Sequence, residues 1–118
     1  MLDFVILFHE LPVESARNSH WDLMLRDGDN LLCWALESNP LTQAKSTGTK
    51  LADHRLAYLE FEGEISHGRG HVTRVARGTY SVISSIHEND WKVVLALESG
   101  RRIEVECAKD RNFAFIDI

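Results

Sequence analysis

Apolar and polar residues alternate with period two along most of the chain, the pattern of half-buried strands. In HWDLMLR (20–26), Trp21, Leu23 and Leu25 fall on one face and His20, Asp22, Met24 and Arg26 on the other. The stretch WKVVLALESGRRIEVE is a hairpin pattern, with Val93, Leu95 and Leu97 alternating against Val94, Ala96 and Glu98, and Ile103 and Val105 facing inward after the turn. The pattern predicts strands over Phe4–Phe8, His20–Arg26, Leu31–Leu36, Ala57–Ile65, His71–Ala76, Gly78–Ile86, Asp90–Leu97, Arg101–Cys107 and Ala114–Ile118. Turn residues punctuate them at Asp27–Asn30, His67–Gly70, Glu88-Asn89 and Ser99-Gly100, the last two as hairpin loops. Helix signals are few: Pro12–Asn18, and Leu41–Lys45 after Pro40, suit short turns. Asn39–Ala52 has little pattern and reads as a mobile surface loop. Many short strands, with no repeat or linker, predict one mostly-β domain over residues 1–118, an antiparallel barrel or sandwich.

Composition adds limits. A chain of 118 residues can bury a core without metal or disulfide staples. No apolar run approaches the ~20 residues of a membrane helix, so no membrane association is expected. The opening MLDFVILFHE carries Asp3 and lacks a basic start and a cleavage site, so it reads as a first strand, not a signal peptide. Cys33 and Cys107 lie in strand-like apolar contexts with no CxxC motif, as buried free thiols do. These features together suggest a cytoplasmic protein. The net charge of −5 argues against a general nucleic-acid coat. Residues 1–40 hold 2 basic and 7 acidic groups, residues 41–80 hold 6 and 4, and residues 81–118 hold 5 and 7. An anion-binding surface is therefore expected from the middle third.

Candidate chemistry lies mainly in the histidines. His20 and Asp22 share a strand face, and His9 ends the first strand. If those strands are neighbours, two imidazoles and a carboxylate converge, a ligand set suited to a divalent transition metal with open positions. Spacing alone leaves open a second reading, that this face is only the wet side of a half-buried sheet. His67, His71 and His87 read as surface or turn residues, and Trp21 and Trp34 as core. ISHGRGH, with Arg69, Arg74 and Arg77 near it, is either a phosphate-binding turn or a plain glycine-rich hairpin. No hydrolase elbow, Walker loop or dinucleotide fingerprint occurs, and neither cysteine sits in a polar context that would activate it.

The order of motifs resembles the 3′-phosphoesterase domain of bacterial DNA ligase D and its stand-alone relatives. FVILFH, HWDLML, CWAL, DHRLAYLEFEG, GRGHV and ARGTY follow one another as that family's segments do over residues 4–80, and DHRLAYLEFEG is the most specific. The C-terminal third matches only in strand length. The resemblance implies a compact β-barrel with one polar crevice and a divalent metal, typically manganese. It implies removal of a 3′ phosphate or 3′ ribonucleoside from a primer end, which leaves a 3′ hydroxyl. By the same resemblance His9, His20 and Asp22 are the metal ligands. His54 contacts the scissile phosphate or assists transfer, Tyr58 belongs to the same site, and Asp53 fixes the His54 tautomer by a hydrogen bond. The expected partners are a nucleic-acid 3′ end and a repair ligase or polymerase, with the chain acting as a monomer.

Departures from the family pattern fall on cations. The strand arginine two places after the aspartate is Met24, a thioether that cannot grip phosphate. The family lysine and a second arginine map to Ser38 and Ser46, an acidic residue to Ala52, and the proline after His54 to Arg55. The spacing from His9 to His20 is longer than in the family. Arg26, about 6.6 Å further along the strand face, is expected as a stand-in cation, together with Arg55 and Arg69. Loss of donors to a developing phosphoryl charge, each often worth ~10²–10³ in rate, predicts a weak phosphoesterase or none unless such stand-ins fill the gap. Three readings follow: a metal-dependent 3′-phosphoesterase in DNA repair, a non-catalytic metal- or nucleic-acid-end-binding relative that keeps the barrel, and a plain interaction domain.

Overall fold

The computed structural model describes residues 2–118, and nearly all of it is β. Its strands are β1 (Asp3–Glu10), β2 (His20–Asp27), β3 (Asn30–Leu36), β4 (Lys45–Arg55), β5 (Gly63–Glu64), β6 (His71–Ser84), β7 (Trp91–Leu97), β8 (Arg102–Ala108) and β9 (Asn112–Asp117). One 3-10 turn, Leu56–Leu59, interrupts them. All pairings are antiparallel, in the order β1-β2-β3-β4-β9-β8-β7-β6-β5, and β1 also pairs β6. That last pairing closes eight strands into a barrel and leaves β5 outside the ring, on β6. Closure removes the exposed sheet edges that would template aggregation.

The strand faces build two cores. Phe4, Ile6, Leu23, Leu25, Trp34 and Leu36 point into the barrel, where residues of β6 to β9 such as Tyr80, Val93, Ile103 and Phe115 meet them. The opposite faces of β1, β2 and β3 present Val5, Leu7, Met24, Leu31 and Cys33, and these are buried too. Leu51, Leu56, Tyr58, Leu59, Phe61 and Ile65 cover them from outside. The face carrying His20, Asp22 and Met24 is therefore not the wet side of the sheet. Met24 is 1% exposed, Asp22 3% and His20 6%.

Three sequence expectations are corrected. Asn39–Ala52 is not a loop throughout, because residues 45–55 form β4 between β3 and β9. Its apolar signal is weak because its neighbours fill the space: a Cβ at Gly48 would lie 2.7 Å from the Phe113 ring and 3.0 Å from Leu36. Ala57–Ile65 is not a strand; its apolar residues form the 3-10 turn and the lid over the outer core, and only Gly63–Glu64 pairs. His71–Ala76 and Gly78–Ile86 are one continuous strand, whose first half pairs β1 and whose second half pairs β7. Gly78 sits at that handover because a Cβ there would meet the Ala96 carbonyl oxygen at 2.0 Å.

Candidate metal centre

Register brings the centre together. His9 of β1 lies directly opposite His20 of β2, and Asp22 is two residues further along the same outer face. One donor atom from each residue lies within 4.8 Å of the others, so His9, His20 and Asp22 could hold a metal ion. The rings stand edge to face with centroids 4.9 Å apart.

The second nitrogen of each histidine is already committed. His9 Nε2 lies 2.8 Å from the Arg69 carbonyl oxygen and His20 Nδ1 lies 3.1 Å from the Asn18 carbonyl oxygen. A carbonyl oxygen only accepts, so both nitrogens carry hydrogen. In the neutral rings, lone pairs then remain on His9 Nδ1, 3.6 Å from Asp22 Oδ2, and on His20 Nε2, 3.0 Å from Asp22 Oδ1. Neither His20 Nε2 nor Asp22 Oδ1 has a hydrogen-bond partner, although both are buried. Lone pairs that face each other repel unless a proton or a cation lies between them, and buried carboxylates are normally paired or bound to metal. The donor set fits a divalent ion, with both tautomers fixed by backbone carbonyls behind it. Asp22 raises the His9 pKa above its ordinary value against the opposing effect of burial. Burial pushes the Asp22 carboxyl up, but the adjacent His20 and His9 rings outweigh it and hold it below the usual carboxylate range.

A cleft of about 390 Å³ opens over His9 and Asp22. His54 and Tyr58 line it, as do Arg69 and Gly68 of the 65–70 hairpin. The cleft draws His54 rather than Asp53 because of a bulge. Cys33 pairs Leu51, and regular pairing would then set Asp53 against Leu31, yet Leu31 pairs His54. The extra residue re-aims the chain, as bulges beside sites do. Asp53 instead points to solvent and lies 3.8 Å from Lys50, so it does not fix the His54 tautomer. The Ala52 carbonyl does, accepting from His54 Nδ1 at 2.9 Å. This leaves the Nε2 lone pair uncommitted, and the ring stands edge-on to Tyr58 at 5.4 Å.

The expected cations divide. Arg69 lines the cleft, its guanidinium held by the Ser66 carbonyl and hydroxyl. Arg26 does not reach it; the side chain bonds the Gly28 carbonyl and Asp3 at the other end of β2. Arg55 lies in an adjoining groove. Met24 does line the cleft, and its thioether offers no hydrogen-bond donor there. Sequence reasoning missed Arg17 and Ser15, which reach the cleft from the loop between β1 and β2. That loop has no periodicity; the available signal was that Arg17 is one of two cations in an acidic first third. ISHGRGH is a hairpin, closed by Ile65 N–H to the Gly70 carbonyl at 2.8 Å, whose backbone also serves His9. Gly70 permits this approach, since a Cβ there would lie 2.3 Å from the Glu10 carbonyl oxygen and 3.3 Å from His9 Nε2.

Elsewhere the residue readings are simpler. Cys33 and Cys107 are buried free thiols, and burial raises both, Cys107 to about 12. His71 and His87 stand near Glu64 and Asp27 at 3.3 and 3.7 Å. No helix among the described residues is long and apolar enough to cross a membrane.

A comparison with curated proteins gives no match. The family model of the DNA ligase D 3′-phosphoesterase domain matches residues 13–109, a span that holds His20, Asp22, His54 and Tyr58 and stops short of His9. With most of its length matched, this chain belongs to the DNA ligase D 3′-phosphoesterase domain family.

Proposed function

We propose that the chain is a manganese-dependent 3′-phosphoesterase that cleans nucleic-acid ends, releasing a 3′ ribonucleoside to leave a 3′ phosphate and hydrolysing a 3′ phosphate to leave a 3′ hydroxyl. The observation that carries this reading is the buried pair of unpartnered atoms, His20 Nε2 and Asp22 Oδ1, 3.0 Å apart beneath the cleft. His9 Nδ1, His20 Nε2 and Asp22 would hold the ion, which when bound supplies positive charge at a phosphoryl oxygen and acidifies water. Arg17 and Arg69 line the same cleft and are the cations available to the non-bridging oxygens. His54, with Nδ1 held by Ala52, offers Nε2 to the leaving oxygen or to the attacking water. Tyr58, which lines the cleft together with Arg69, orients substrate. The product end suits a repair polymerase or ligase, and we place the activity in the cytoplasm, with a monomer as the working unit.

The test is a primer-template ending in one 3′ ribonucleotide, and separately one ending in a 3′ phosphate, incubated with manganese and either the wild-type chain or Asp22→Asn. Trimming by the wild type that is lost in the variant is expected. Met24 in the cleft wall and Arg26 drawn away to Asp3 favour a second reading, a non-catalytic relative that binds metal or nucleic-acid ends. Stoichiometric manganese binding without trimming of either substrate would establish that reading instead.

A further inference from the structure

We propose that the groove between the 3-10 turn and the 65–70 hairpin is a second subsite. It takes the nucleotide on the 5′ side of the scissile phosphate, with the base against Phe61 and Tyr58 and that nucleotide's own 5′ phosphate at Arg55. This rests on the nucleic-acid-end reading above. The groove has a volume of about 270 Å³ and shares Tyr58, Ile65 and Arg69 with the cleft, so a strand whose terminal phosphate lies over His9 and Asp22 runs directly into it.

Its walls have the chemistry of a single-strand site, aromatic faces beside cations. Phe61 packs on the outer core yet remains half-buried, and it meets Tyr58 edge to face at 5.7 Å. Arg55 is exposed and pairs with no carboxylate among the described residues. By contrast Arg26, Arg74, Arg77 and Arg101 are each engaged by an aspartate or glutamate. Glu64, the acidic group on the groove wall, stands 3.3 Å from His71 Nδ1. The two arginines come from the one third of the sequence with more basic than acidic residues. In a chain of net charge −5, two guanidiniums without a carboxylate partner among the described residues, set beside aromatic rings, fit a polyanion carrying bases.

The experiment titrates a fluorescein-labelled single-stranded DNA octamer ending in a 3′ phosphate, by anisotropy in EDTA at several salt concentrations. Wild type, Arg55→Gln and Phe61→Leu are compared, with circular dichroism as the check on folding. Hydrolysis of p-nitrophenyl phosphate with manganese reports on the cleft alone. Arg55→Gln is expected to weaken octamer binding about fivefold to tenfold and to reduce the slope of log K against log salt by about 0.7, the value for one phosphate contact on a single strand. Phe61→Leu is expected to weaken binding by a similar factor with the slope unchanged, and both variants should hydrolyse the aryl phosphate as the wild type does. Wild-type binding that Arg55→Gln leaves unaltered in both affinity and slope would overturn the subsite and leave the phosphoesterase reading intact. A wild type that does not bind the octamer would overturn the subsite, and one that also fails to hydrolyse the aryl phosphate would overturn the function with it.

Discussion

Replacing Asp22 by Asn should move the stability of the metal-free chain and its response to metal in opposite directions. With both rings neutral, His20 Nε2 presents a lone pair to Asp22 Oδ1 at 3.0 Å and neither atom is satisfied. An Asn amide has nearly the same shape and can donate to that nitrogen. The gain is one buried neutral hydrogen bond, worth about 1 kcal/mol net, together with removal of a carboxylate that is 3% exposed. An unfolding entropy of ~2.1 cal/mol/K per residue gives ~0.25 kcal/mol/K for 118 residues, so the melting temperature in EDTA should rise by about 4 °C. With manganese at 100 times its wild-type Kd, the wild type gains ~2.7 kcal/mol, or about 11 °C. A variant that has lost a direct ligand and binds at least ~100-fold more weakly gains at most ~0.4 kcal/mol, or about 2 °C. Scanning fluorimetry of both proteins with EDTA and with manganese reads all four numbers. A lower melting temperature for Asp22→Asn in EDTA at pH 8 would show that Asp22 is a structural partner of charged histidines. An undiminished manganese shift in the variant would put the ion elsewhere.

Further expectations concern protons, cations and backbone. The raised His9 pKa contributes stability that is fully present below the unfolded value of about 6.5 and is lost as pH rises through the folded value; manganese affinity, by calorimetry, should rise over that same window as the competing proton leaves. Arg17→Gln should cost about 10²–10³ in kcat for the 3′-phosphate substrate, whereas Arg26→Gln should leave kcat within twofold, since its guanidinium is spent on Asp3 and Gly28; equal losses would place Arg26 at the phosphate. Gly70→Ala forces a side chain into φ +100° and against the Glu10 carbonyl oxygen, which should destabilise by about 1–3 kcal/mol in a denaturant titration and weaken metal binding by displacing His9.

The barrel was legible in the sequence because most strands carry period-two alternation between turn residues, and the barrel face of β2 falls where Trp21, Leu23 and Leu25 predict. Less legible was anything whose signal depends on a neighbour. β4 looks like a loop because Phe113 and Leu36 supply the bulk that its own residues lack. Ala57–Ile65 looks like a strand because it must cover an apolar surface, and a 3-10 turn with a lid meets that need as well as a strand does. His9, His20 and Asp22 could be proposed together, yet the burial of this face could not, because the alternation of one strand does not reveal a second layer. The roles of Asp53 and His54 were legible only in part, since the bulge that separates them is a property of the pairing with β3 and not of the residues themselves. Arg17 escaped notice because loops carry no period.

The direct opposition of His9 and His20 across two neighbouring strands has a consequence for how the barrel finds its register. Both faces of this hairpin are apolar and buried, with Phe4, Ile6, Leu23 and Leu25 on one and Val5, Leu7 and Met24 on the other. A one-residue slip would therefore trade one greasy face for another, and the usual penalty for exposing the wrong side would be small. The polar trio removes that ambiguity. Only one alignment sets two imidazoles opposite each other with a carboxylate beside them, and every slipped alignment buries the same groups among hydrocarbon with no counterpart. An ion held there would act as a bookmark for strand pairing as well as a reagent, binding the correctly aligned hairpin and leaving its misaligned competitors unrewarded.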